Sequence, residues 1–369
     1  MRKNGNRKTI AGFVLCLICF LGLLAGQMFL IDRSREELFS GKEWVFGQNS
    51  ITPFQLEQLD SSGEYGYLGR YEAQLTDLGQ AVTVGLCNET YGEICGITFR
   101  YGRWFAHGAL ETVISQSLSQ QIFGEENPCG RTLMVDGQEL MICGVYCQRQ
   151  GFFPRLAGDG TELIFTSRTG VPQWEGKQYA VYHSGDGSFY QRELDEFLLF
   201  TGISQKPEAH FCFEDTQKLI IQNCKLMLLL LEIAGIYICV KGLFWMAGPI
   251  RKCVREEASI SIPQALGMLC ILLLLAVCLL FWVFFDFQLF IPVQSLPFDN
   301  LFDITYYGNI IQQQFQLVHQ LNFDSYYWNL SVWYLGMSYL LMGFSIFPFV
   351  GFFLFSGEKR RKNFETRIC

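Results

Sequence analysis

Residues 9–31 read TIAGFVLCLICFLGLLAGQMFLI, an apolar run without a charged side chain. Three further apolar runs follow, at residues 219–247, 262–285 and 330–355. A membrane-crossing helix needs roughly 20 predominantly apolar residues, so all four runs are long enough. The first run could be a cleaved signal peptide, but the apolar part of such a peptide is only about 7–15 residues long. We therefore predict an uncleaved first helix and four transmembrane helices.

The charges that flank these runs predict the orientation of the chain. The segments 1–8, 248–261 and 357–369 are rich in Lys and Arg, whereas residues 286–329 contain neither. Because basic residues accumulate on the cytoplasmic side of a membrane, we expect the three basic segments to be cytoplasmic. The sequence thus predicts a multi-pass protein of the cell membrane with both termini in the cytoplasm.

Residues 32–217 then form an extracytoplasmic domain, which is long enough to bury its own core. It contains 13 basic and 26 acidic residues, a net charge of −13. Asp136-Gly137 between two β-type runs is a strong signal for a hairpin. We predict mixed α and β structure, with strands at 81–86, 97–100, 132–135, 138–146, 163–166, 179–182 and 210–213, and helices at 111–123 and 189–200.

The predicted fold class is an α-helical membrane protein with four transmembrane helices and a mixed α+β extracytoplasmic domain inserted between helices 1 and 2. The second run is longer than the hydrocarbon core requires, so we expect it to project outward as a stalk. The predicted order is a cytoplasmic tail 1–8, helix 9–31, extracytoplasmic domain 32–217, helix and stalk 218–247, cytoplasmic loop 248–261, helix 262–285, extracytoplasmic loop 286–329, helix 330–356 and cytoplasmic tail 357–369.

A sequence motif lies between residues 96 and 146. It begins with GITFRYGRWF at 96–105, continues with a helix that ends in IFG at 122–124, and includes NPCGR at 127–131. The hairpin follows and closes on ICGVY at 142–146. In this order, and within this arrangement of helices, the motif resembles the extracytoplasmic core domain of the MacB-like (FtsX-like) ABC transporter permeases.

The resemblance implies a permease subunit that works with a separate ABC ATPase and a second permease chain, identical or related, in membrane lipid. In that family, an Arg- and Glu-rich loop after the second crossing contacts the ATPase. Here that stretch is compressed, because Ala265-Leu266-Gly267 falls inside the third apolar run. A simple positive-inside loop is the alternative. The candidate coupling residues are Arg251, Lys252, Arg255, Glu256 and Glu257.

Glu232 lies near the middle of the second apolar run. A charged group there is costly unless it faces protein, water or a partner, or is protonated. We interpret Glu232 as a candidate contact between membrane helices. The alternative is a tolerated residue that faces the interior of the bundle.

The chain has no signature of a catalytic, metal or nucleic-acid site. No phosphate-binding Gly-rich loop ending in Gly-Lys-Ser/Thr is present, so we expect no ATP binding through a loop of this type. The histidines His107, His183, His210 and His319 lack the spacing of metal ligands, and the net charge of −7 does not favour nucleic acid. We predict a chain that is not an enzyme and has no catalytic residue, cofactor or metal.

Six cysteines fall in the predicted extracytoplasmic domain, and an even number there permits disulfides. Cys129 and Cys143 lie near one end of the predicted hairpin and are the first pair to test. In a host that lives without oxygen, all six would remain thiols. The six are Cys87, Cys95, Cys129, Cys143, Cys147 and Cys212.

Three functions follow from these features. The first is a permease subunit that transmits ATP-driven movement to the extracytoplasmic domain, for export or mechanotransmission. The second is a membrane-anchored extracytoplasmic receptor or scaffold that regulates cell-envelope processes without transport. The third is a membrane enzyme, which would require a reactive nucleophile that the sequence does not mark.

Overall fold

The computed structural model describes residues 2–256, except positions 77, 125, 148–150, 159–162 and 185–189, and residues 326–368. Between 257 and 325 it describes positions 277, 290, 305, 306, 308, 309, 312 and 316 alone. Glu257, nearly all of the predicted third crossing and most of the loop that follows therefore lie outside the described residues. One compact unit comprises Ser34–Gln217 and Pro292–Trp333; the other comprises Met1–Arg33, Lys218–Ile291 and Tyr334–Cys369.

Strands and short helices make up most of the first unit, whereas long helices dominate the second. The helices are α1 (Arg2–Glu37), α2 (Pro53–Ser62), α3 (Glu89–Ile94), α4 (Gln116–Phe123), α5 (Phe152–Leu156), α6 (Tyr190–Thr201), α7 (Phe213–Glu256) and α8 (Tyr326–Ile368). The strands are β1 (Lys42–Phe46), β2 (Tyr65–Leu75), β3 (Gln80–Cys87), β4 (Phe99–Gly102), β5 (Glu111–Ser115), β6 (Thr132–Val135), β7 (Gln138–Tyr146), β8 (Leu163–Ser167), β9 (Tyr179–His183) and β10 (Ala209–Cys212).

The described strands form one mixed sheet in the order β10-β1-β9-β2-β3-β8-β5-β7-β4, and β6 pairs with β2 and β7. The pairs β3–β8 and β5–β7 are parallel, and the other pairs are antiparallel. The mixed α+β class predicted for the extracytoplasmic domain is thus confirmed.

Local sequence accounts for the hairpin and for α2. Asp136 and Gly137 have φ values of 46° and 74°, which the Asp-Gly turn requires, so the predicted hairpin β6–β7 is confirmed. Helix α2 starts at a capping box, in which the Thr52 side chain accepts from the Gln55 amide and the Gln55 side chain accepts from the Thr52 amide. Such a box satisfies amide groups that the first turn leaves unpaired.

The prediction of one helix over residues 111–123 is wrong for its first part. Glu111–Ser115 is strand β5, and the helix begins only at Gln116. Three β-branched residues in a row, from Thr112 to Ile114, favour a strand. Ser115 then caps α4, because its side chain accepts a hydrogen bond from the Leu118 amide at 3.1 Å.

Two apolar clusters stabilise this unit. Trp44, Phe46, Leu59 and Phe197 belong to the cluster that joins β1 with α2 and α6. Leu86, Ile114, Leu118 and Ile164 belong to the other cluster, which joins β3, β5 and β8 with α4. Both clusters bury side chains that the alternation of the strands places on the inner faces.

The long helices include one segment suited to a membrane. Among the described residues, Tyr326–Pro348 is long and apolar enough to cross a bilayer, judged by length and composition. Helix α7 begins at Phe213, directly after β10, and its backbone remains helical through Glu256. The first half of the predicted loop 248–261 is therefore helical.

Candidate functional site

The Gly-Arg-Trp turn of the 96–146 motif is held by one bidentate ion pair. Arg103 Nη2 lies 2.7 Å from Glu111 Oε1, and Arg103 Nη1 lies 3.0 Å from Glu111 Oε2. The Ala106 amide also donates to Glu111 Oε2, at 3.0 Å. Burial by itself would raise the pKa of Glu111, but the hydrogen bonds from Arg103 and Ala106 outweigh it and hold this pKa below its usual value.

Two glycines of the motif allow their strands to approach closely. Gly102 and Gly144 face each other in the β4–β7 pairing. A Cβ atom at Gly102 would lie 2.0 Å from the carbonyl oxygen of Cys143, and one at Gly144 would lie 2.3 Å from that of Arg103. No other residue type fits at either position without movement of the backbone. The motif residues thus form one packed corner of the domain.

A surface groove of about 490 Å³ lies beside this corner. The residues that line it include Glu89, Glu93, Phe99, Arg103 and Trp104. Trp104 is fixed by a hydrogen bond from its indole nitrogen to the Asn88 carbonyl oxygen, 3.3 Å long. Carboxylates next to aromatic rings suit a cation with an apolar body. The sequence analysis did not identify this groove, although Trp104 between two Glu-containing segments was a possible signal.

A second polar arrangement joins three long helices. Gln27 of α1 donates through Nε2 to the Ser338 hydroxyl of α8 at 2.8 Å and to the Ser338 carbonyl oxygen at 3.2 Å. Asn223 of α7 donates to the same hydroxyl at 3.1 Å. The exposed fraction of these three side chains is 0–2%. Side-chain amides and hydroxyls often link helices in this way where no water is present.

The predicted membrane and coupling residues lie on the long helices. Glu232 is buried, with 7% of its surface exposed, and its role as a helix contact stays a prediction. Arg251, Lys252, Arg255 and Glu256 lie on the last turns of α7, but their side chains are not among those described. The sequence analysis did not predict the contact at Ser338. Gln27 and Asn223 have amide side chains within otherwise apolar runs and could have indicated it.

The six cysteines of the mixed-sheet unit form no disulfide among the described residues. Cys129 and Cys143, the pair selected from the sequence, do not form a disulfide. Burial raises the pKa of Cys143 to about 12 and that of Cys212 to about 11. A thiol with so high a pKa is a poor nucleophile. Within the described part of the chain, no group of three or more His, Cys, Asp or Glu side chains could hold a metal ion.

Comparison with known proteins gives similarity in structure but not in sequence. No family model matches the chain, and no curated protein matches it significantly. The periplasmic region of MacB from Actinobacillus actinomycetemcomitans is 14% identical, with a TM-score of 0.38; the match covers 50% of this chain and 94% of that one. The extracellular domain of the ABC-type transporter YknZ from Gram-positive bacteria is 14% identical, with a TM-score of 0.33; the match covers 46% and 97%.

Proposed function

We propose that this chain is the membrane subunit of an ABC transporter, which carries ATP-driven movement from a separate ATPase to its extracytoplasmic domain. The movement serves export or mechanotransmission, and a second permease chain completes the assembly. The proposal includes four crossings and cytoplasmic termini. It is supported by the order of the motif, by the charges that flank the apolar runs and by the course of α7.

The course of α7 is the observation that carries the proposal. A helix of 44 residues is about 66 Å long at 1.5 Å per residue, whereas the hydrocarbon core of a bilayer is about 30 Å thick. One end follows directly after β10, an edge strand of the sheet. The other end carries Arg251, Lys252, Arg255 and Glu256. A continuous helix transmits a displacement along its axis better than an irregular segment, because its backbone hydrogen bonds fix its length.

The coupling role of residues 251–257 can be tested by co-purification. We expect an ATPase with a phosphate-binding loop to co-purify with the wild-type chain from host membranes in mild detergent. The triple variant R251E/K252E/R255E should lose this ATPase, because its charge at the proposed contact is reversed. The matched control is K359E/R360E/R361E, which reverses the same number of charges in the C-terminal tail and should keep the ATPase.

Mass spectrometry of the co-purified proteins gives the result. If no nucleotide-binding protein is found with the wild-type chain, the permease proposal fails. If both triple variants retain the ATPase equally, residues 251–255 are not the contact.

A further inference from the structure

Helix α5 has an apolar side that faces away from the domain to which it belongs. The exposed fraction of Phe152 is 66% and that of Leu156 is 42%. These residues are four apart, so they lie on one side of the helix. The neighbouring residues Phe153 and Ala157 are buried, with 8% and 2% of their surfaces exposed. A short helix with two large exposed apolar side chains has a surface that water does not favour.

The contacts of α5 place it beside the start of α8. Asn329 Nδ2 donates to the carbonyl oxygen of Ala157, at 3.4 Å. Asn329 lies in the first turn of α8, within the segment that is apolar and long enough to cross a bilayer. At the N-terminal end of α5, a Cβ atom at Gly151 would lie 3.3 Å from Glu37 Oε1, at the end of α1. Within its own unit, α5 thus lies beside the first turn of α8 and the last residues of α1.

Aromatic residues surround the same position. Helix α8 begins with Tyr326, Tyr327 and Trp328, residue types that are enriched where a helix enters the headgroup layer. The ring of Trp328 packs against Phe211, with centroids 5.6 Å apart. Asn329 follows this aromatic group directly, and it donates to the carbonyl oxygen of Ala157, the residue after α5.

We propose that α5 docks on the outer leaflet of the membrane, with Phe152 and Leu156 in the boundary between lipid headgroups and acyl chains. The proposal rests on the proposed function to the extent that α8 crosses a membrane. It goes beyond that function because it assigns a lipid contact to the extracytoplasmic domain itself. Exposed Arg155 lies between the two apolar residues, where its guanidinium can reach a lipid phosphate while the apolar side chains enter the leaflet.

Photo-crosslinking of the full-length chain in phospholipid nanodiscs tests this contact. The variant Phe152→p-benzoylphenylalanine places a photoreactive ring at the proposed contact. The matched control is Phe54→p-benzoylphenylalanine, since Phe54 is 67% exposed and also lies on a short helix. Strand β1 begins at Lys42, which pairs with Cys212, the residue before α7, and it ends at Phe46. Helix α2 follows that distant end, so Phe54 should lie away from the membrane.

A third variant, Phe344→p-benzoylphenylalanine, tests the membrane crossing of α8 separately from the lipid contact of α5. Phe344 lies in the predicted crossing of α8 and is 54% exposed. After illumination, we expect intact-mass spectra to show an increase by one phospholipid for the variants at positions 344 and 152, and no such increase at position 54. An adduct at 344 but not at 152, a crosslink from 152 to another protein chain, or equal adducts at 152 and 54 would each overturn the docking of α5. No adduct at 344 would overturn the membrane crossing as well.

Discussion

Among the described contacts, the Glu111 carboxylate accepts two hydrogen bonds from another side chain, and both come from the Arg103 guanidinium. Only 8% of the Glu111 side chain is exposed, so removal of Arg103 would leave a buried carboxylate with the Ala106 amide as a donor. We expect Arg103→Ala to lower the free energy of unfolding by about 1.5–3 kcal/mol, the usual worth of hydrogen bonds to a charged group. Thermal unfolding of the full-length protein in detergent measures the effect.

Arg131→Ala is the control for this prediction. Arg131 pairs with Glu126 where both side chains are well exposed, and such a pair contributes less than about 1 kcal/mol. Equal shifts of the two variants would show that the Arg103–Glu111 pair does not stabilise the corner of the motif.

The carboxyl group of Asp60 makes stability depend on pH. Burial raises its pKa to about 6, although hydrogen bonds from Tyr67 and Asn88 and the charge of His107 lower it. The folded protein therefore binds this proton more tightly than the unfolded chain does. Its favourable contribution is present below about pH 4 and is lost as the pH rises through about 6.

Asp60→Asn should thus be more stable than the wild type at neutral pH, and the difference should shrink as the pH falls from about 6 to about 4. The unfolding midpoint, measured across this range, gives the result. Glu72→Gln removes an exposed carboxyl from strand β2 and should show no such trend. A constant difference between Asp60→Asn and the wild type would contradict the assignment.

Among the elements, α1, α7 and α8 share the contact at Ser338. Ser338→Ala removes the hydroxyl that accepts from both Gln27 and Asn223. Since hydrogen bonds between membrane helices contribute about 0.6 kcal/mol on average and about 1.7 at most, we expect a lower unfolding midpoint in detergent. Ser345→Ala is the matched control, because Ser345 is equally buried but donates to Met342 of its own helix. A larger effect at Ser345 would contradict the role of Ser338.

Some elements could be predicted from the sequence because local chemistry determines them. The Asp136-Gly137 turn needs positive φ at two positions, which Asp-Gly supplies, so the hairpin was predicted. Strand β1, by contrast, is buried along its whole length, so its sequence shows no alternation and the strand was not predicted. Helix α2 was not predicted either. Thr52, Pro53 and Gln55 form a helix-start pattern, but the residues that follow show no clear apolar periodicity.

The candidate site was harder to predict than the fold. Arg103 and Glu111 are eight residues apart, and their pairing depends on how β4 and β5 both approach β7. The contact of Gln27, Asn223 and Ser338 joins positions more than a hundred residues apart. Such contacts follow from tertiary packing, which no local pattern encodes.

Across the whole molecule, the long helix α7 joins a strand of the mixed sheet to a charged cytoplasmic segment under the proposed topology. If α7 transmits movement, nucleotide binding at the ATPase should alter the pairing of β10 with β1, since Phe213 begins α7 directly after Cys212. The strand pairing of the extracytoplasmic domain would then change although this domain does not contact the nucleotide. If α7 only anchors the chain in the membrane, nucleotide binding should leave the pairing of β10 with β1 unchanged.

Hydrogen–deuterium exchange of the complex between this chain and its ATPase distinguishes these cases most directly. The complex is compared without nucleotide and after trapping with ATP and vanadate. We predict that trapping changes exchange in β10 and in the first turns of α7, and that the control variant K359E/R360E/R361E, which keeps the ATPase, retains the change. Unaltered exchange in β10 while the ATPase holds nucleotide would contradict transmission through α7.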